Sequence, residues 1–127
     1  MNKDLANDPL SKLGEMLSHS LRDKSIEQHD MLLNGQLRGK HIQSLQARVA
    51  ALSIEQRTLL REVVIDALDV ALHDVLFAFQ DAHDRSLGIE MVVDGKSAAE
   101  LSGMLQGEPL GPEGWINRFS RFPKVDA

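Results

Sequence analysis

From Ser53 to Asp84 the chain carries one uninterrupted helical pattern, and no other stretch limits the fold as strongly. Ser53 and Gln56 form a capping box, in which the serine hydroxyl and the glutamine side chain satisfy amide groups at the helix start. Neither glycine nor proline interrupts residues 54–84. A helix of that length extends about 46 Å at 1.5 Å per residue. A compact chain of 127 residues has a diameter of only about 36 Å. The helix must therefore break early, or the molecule is elongated and covers the protruding part. A homodimer is the expected solution.

At 100° per residue, Leu60, Val64, Leu68, Ala71, Leu72, Val75, Ala78, Phe79 and Ala82 share one arc, the expected core face. Ile65 and Leu76 widen it on one side, and Val63, Val70 and Phe77 on the other. The narrow remaining arc holds Glu62, Asp66, Asp69, His73, Gln80 and Asp84. This stripe is the expected wet face, with His73 one turn after Asp69 for an i,i+4 contact.

Punctuation elsewhere divides the chain into shorter elements. Asp8 caps a helix with Pro9 at its first position, where the missing N–H costs nothing. Leu10, Leu13, Leu17 and Leu21 recur at three- and four-residue steps, although Gly14 weakens that helix by about 1 kcal/mol. Ser25 and Gln28 suggest a restart, and Asn34-Gly35 a stop. Ile42, Leu45, Val49 and Leu52 mark a third segment that turns almost without a loop into the long helix. "GIEMVVDG" is the one strand-like stretch, which can pair with "KSAA" across Asp94-Gly95, lie extended on helices, or pair with a second copy. Ser97 with Glu100 opens a short helix toward Gly107, and Pro112 another toward Phe122.

The expected fold is mainly α: a helical bundle built on a long central helical hairpin, with one short β strand or hairpin and two small C-terminal helices. One domain spans 1–127, with N-terminal helices over 8–52, the long helix over 54–84, a β element over 88–95 and C-terminal helices over 97–122.

The sequence excludes more functions than it selects. There is no cysteine, so thiolate catalysis and thiolate metal sites are out. The first ten residues, MNKDLANDPL, lack an apolar run, and no stretch of about 18 apolar residues occurs. A cytoplasmic chain with no membrane partner is expected. The net charge of −5 argues against nucleic acid. Residues 51–90 hold eight acidic and three basic groups, so this segment accounts for the whole excess.

Two surfaces are candidates for a partner. One is the acidic stripe. The other is the C-terminal segment in which Trp115, Phe119 and Phe122, spaced i, i+4, i+7, share a helix face with Arg118 and Arg121 at its rim, since tryptophan and arginine are common interface anchors. With no catalytic motif, no metal-ligand spacing and no cofactor fingerprint, the expectation is a non-enzymatic protein-binding or regulatory protein. An immunity- or antitoxin-like inhibitor of a basic partner fits that description. The alternatives are a small-molecule-binding or hydrolase-type pocket beside Asp66, Asp69 and His73, and a structural homodimer subunit of a larger assembly.

Overall fold

The computed structural model describes residues 8–125, so the first seven residues, on which the expected absence of a leader partly rests, lie outside it. Helix α1 (Pro9–Leu17) begins as its sequence demands, with the Asp8 carboxylate accepting from the amides of Leu10 (2.9 Å) and Ser11 (3.2 Å). The chain does not restart at Ser25. It widens through a π-helical turn, Ser18–Asp23, and continues directly as α2 (Lys24–Leu33). Asn34-Gly35 ends α2, with Gly35 in the left-handed region. Gln46 of α3 (Lys40–Ala50) closes the following loop by bonding both the amide (2.9 Å) and the carbonyl (2.8 Å) of Leu37.

The turn from α3 into α4 (Ile54–Asp84) takes only three residues, and both bonds of the Ser53–Gln56 capping box form. The long helix runs unbroken to Asp84. Arg61 ties it to α2 by a two-pronged contact with Asp30, at 2.7 and 3.1 Å. Beyond α4, β1 (Val92–Val93) and β2 (Lys96–Ser97) form a two-residue antiparallel hairpin across Asp94-Gly95, with Val92 opposite Ser97. The strand-like stretch thus finds its partner within the chain. Helix α5 (Ala98–Ser102) ends at Gly103 in the left-handed conformation, short of Gly107, and a 3-10 turn spans Leu105–Gly107. Helix α6 is only Trp115–Phe119. Pro112 lies in the preceding turn rather than opening the helix.

The main core joins α1, the C-terminal half of α4, α5 and the C-terminal turns: Leu13, Leu72, Leu76, Ala98, Ala99, Leu105 and Trp115. This corrects the expected core face of α4. The buried side centres on Ile65, Leu72 and Leu76, roughly a quarter turn from the arc expected, at 100° per residue. Of the expected arc, Leu72 and Ala82 are buried, Leu60, Val64, Leu68 and Phe79 are half-buried, and Ala71, Val75 and Ala78 are exposed. The helix rotates because its neighbours supply partners for Asp69 and Gln80, so those polar groups enter the interior hydrogen-bonded at small cost.

Gly14 has a reason that its helix propensity hides. A Cβ built there would lie 2.3 Å from the Trp115 ring, so the glycine is the seat of the indole. Trp115 is 2% exposed. Gly14→Ala should therefore lose about 1–3 kcal/mol to overpacking, although alanine is the better helix former by about 1 kcal/mol. Urea denaturation measures the difference, and a gain in stability would show that the indole can move aside.

At the far end of α4, His83 joins the loop and α5. Its Nδ1 lies 2.7 Å from Glu90 and its Nε2 2.7 Å from Glu100, while the Ser97 hydroxyl donates to Glu90. Only the imidazolium can donate to both carboxylates at once. The hydrogen bonds to Glu90, first, and Glu100, second, raise the His83 pKa. Glu90 is lowered by the Ser97 hydroxyl and then by His83. A raised histidine pKa stabilises the folded state fully below the unfolded value of about 6.5, and that stabilisation fades as pH rises through the folded-state value. NMR titration of His83 should give a midpoint above about 6.5, lowered more by Glu90→Gln than by Glu100→Gln.

Candidate functional site

The expected polar stripe of α4 divides in two. Asp69 and Gln80 are buried, while Glu62, Asp66, His73 and Asp84 stay on the surface. The division follows from where partners stand. The Gln80 side chain accepts from the Leu105 amide (2.8 Å) and donates to Asp84 (3.0 Å), fastening the 3-10 turn to α4. Asp69 takes Nε (2.6 Å) and Nη2 (3.0 Å) of Arg22, a residue that is 0% exposed. The expected contact of Asp69 with His73 does not form; His73 Nδ1 lies 3.1 Å from Asp74 instead.

Arg22 has no water to turn to, and it needs none. Nη1 donates to the Ser120 hydroxyl (2.8 Å) and to the Phe122 carbonyl, and Nη2 also donates to the Pro123 carbonyl (3.3 Å). All five N–H groups of the guanidinium are thereby engaged. Asp23, the next residue, accepts from the Ser120 hydroxyl and from the Arg121 amide (3.1 Å). The π-helical turn sets both neighbours of this pair inward, where a segment that has followed α6 crosses them. Arg22 was not among the residues expected to matter. Its signal lay in α4: Asp69 is flanked on its helix face by Ile65, Leu72 and Leu76, an apolar setting that implies a buried counter-charge.

The second candidate surface is occupied by the fold itself. Trp115 is buried in the core. Arg118 donates to the Ser11 hydroxyl (2.8 Å) and lies 4.5 Å from the Phe119 ring centre, and Arg121 pairs with Glu27. Phe119 packs half-buried against the core. These four residues strap the C-terminal segment to α1 and α2 and leave no free aromatic anchor.

What faces solvent on α4 is apolar as well as acidic. Leu59, Val63, Val70 and Phe77 are 60, 56, 51 and 50% exposed. Glu62, Asp66, His73 and Asp84 run along one side of them, and Asp74 and Asp81 along the other. Between this helix surface and the C-terminal segment lie two hollows that share Asp66 and Lys124. The larger, about 460 Å³, is lined by Leu59, Glu62, Val63, Asp66, Lys124 and Val125. The smaller, about 190 Å³, is lined by Asp66, Asp69, Val70, His73, Leu110 and Lys124. It occupies the place expected of a catalytic or small-ligand pocket, but falls below the roughly 300–1,000 Å³ usual for such sites. Asp69 is committed to Arg22, and His73 Nδ1 lies against Asp74. Among the described residues, no three His, Asp or Glu side chains gather to hold a metal ion, and no helix is long and apolar enough to cross a membrane.

Comparison with protein families, with characterised proteins and with solved structures gave no match.

The buried pair makes a sharp energetic prediction. Arg22→Met leaves Asp69 as an uncompensated interior charge and should cost about 3–5 kcal/mol. Replacing both, as in Arg22→Met with Asp69→Leu, should recover most of that loss, because two apolar groups need no partner. Chemical denaturation of the two single variants and the double variant measures the coupling, and additive losses would show that the pair does not act as a unit.

Proposed function

We propose that this chain is a non-enzymatic protein-binding protein, of the regulatory or inhibitor kind, that engages a basic surface of another protein through the acidic edge of α4. The observation that carries this reading is the division of the stripe. The fold consumes Asp69 and Gln80, while Glu62 and Asp66 form no ion pair among the described residues and remain on the surface beside exposed Val63 and Val70. Acids placed at the rim of an apolar patch steer a basic partner and suppress acidic ones. The C-terminal segment flanks this edge at Lys124 and joins the turn between α1 and α2 to α4 through Arg22 and Asp69.

The test is selective retention. The immobilised chain should capture a basic protein from an extract of its source cells at low salt and release it as salt rises, because the Debye length shrinks to about 3 Å at 1 M. Glu62→Gln with Asp66→Asn should weaken that capture about tenfold, equivalent to about 1.4 kcal/mol, with an unchanged circular dichroism spectrum. Equal retention by both forms would overturn the proposal.

A further inference from the structure

The acidic edge borders an apolar ridge whose spacing says more about the partner than its charge does. Val63, Val70 and Phe77 stand seven residues apart, and Leu59 lies one turn before Val63. Residues at that interval drift only about 20° per step on a straight helix, so the ridge stays in line for 18 residues, or about 27 Å. All four residues are at least half exposed. A ridge with a seven-residue repeat matches the seam of a second helix lying alongside, whose own apolar residues repeat every 3.5 positions. The hollows beside it, at Leu59 and Val63 and at Val70 and Leu110, offer room for side chains reaching across.

The charges decide what that helix is. Glu62, Asp66 and Asp84 lie on one side of the ridge, with Asp74 and Asp81 on the other. Of the cations nearby, Arg57 and Arg61 lie more than 100° around α4 from Val63, with Arg61 paired to Asp30; Arg85, just past the helix, pairs with Asp81, and Lys124 lines the hollows beside Asp66. Two copies of this chain joined ridge to ridge would set acids against acids on both flanks, and like-charge juxtaposition across an interface is costly. Resting on the protein-binding reading above, we infer that the partner presents a basic amphipathic helix of about five turns. Its apolar seam lies along Leu59, Val63, Val70 and Phe77, and lysine or arginine at its flanking positions faces the two acidic rows. This is helix-in-groove recognition, with apolar contact supplying affinity and charge supplying selection.

The probe is a synthetic peptide of about three heptads, with leucine at the seam positions and lysine at the flanking ones, beside a control in which glutamate replaces every lysine. Binding is followed by calorimetry, and by NMR shift mapping on the full chain. The lysine peptide should bind and shift the amides around Val63, Val70 and Phe77, whereas the glutamate peptide should not. Val63→Ser with Val70→Ser and Phe77→Ser should weaken binding about tenfold or more, and Glu62→Gln with Asp66→Asn should weaken it and flatten its salt dependence. Because these positions are exposed, circular dichroism should be unchanged in both variants. Loss with the charge variant but full binding by the serine variant would overturn the helical seam and leave the acidic-edge reading standing. Binding indifferent to both variants, or no binding of the lysine peptide, would overturn the inference. So would a wild-type dimer in sedimentation that the serine variant abolishes, since the ridge would then belong to a second copy.

Discussion

A guanidinium with every N–H engaged and no contact with water joins three parts of the chain that are remote in sequence. Arg22 comes from the turn between α1 and α2, Asp69 from the middle of α4, and the acceptors at Ser120, Phe122 and Pro123 from the C-terminal segment. A buried ion pair is poor evidence of net stability, because desolvation offsets much of the attraction. It is better understood here as a device for uniqueness. Any sliding of α4 against α1 and α2, or any detachment of the segment after α6, strands a charge in the interior. The arrangement of the remaining elements follows from that condition.

Rotation of α4 is the clearest example. Judged by side-chain polarity alone, the helix should bury the face of Leu68, Ala71 and Val75 and expose Asp69 and Gln80. With Arg22 and the Leu105 amide in place, the two polar residues become part of the interior. The helix turns toward them and brings Ile65, Leu72 and Leu76 into the core. Val63, Val70 and Phe77 lie about 120–160° around the helix from that side and stay at the surface. The exposed ridge is thus the side of α4 turned away from Ile65, Leu72 and Leu76, and its position is tied to the face that packs in the core.

Local signals in the chain were legible to the residue. The caps at Asp8, Ser53 and Ser97, the stop at Gly35 and the turn at Asp94-Gly95 stand where their backbone chemistry requires. Each acts within four residues, and proximity in sequence guarantees that the partners meet. The face of α4, the burial of Trp115 and the role of Gly14 depend on residues brought together over long separations, such as Ser11 with Arg118 and Gly14 with Trp115. Periodicity reports that a helix has an apolar side, but not which polar residues will find partners inside it. Glu62, Asp66, His73 and Asp84 stayed on the surface as their place on the wheel implied; Asp69 and Gln80 did not.

The widened turn at Ser18–Asp23 has a consequence for how this chain can vary in length. A π-helical turn bonds five residues ahead rather than four, so it accommodates one residue more than the regular ladder beside it. That additional residue allows Arg22 and Asp23, adjacent in sequence, to meet the same crossing segment. Removing one position from Ser18 to Leu21 would close the turn to the regular ladder and leave α2 near its present phase. Arg22 and Asp23 would lose the wider turn that presents both to the segment after α6. The same deletion within α1 or α2 would instead turn all that follows by about 100°.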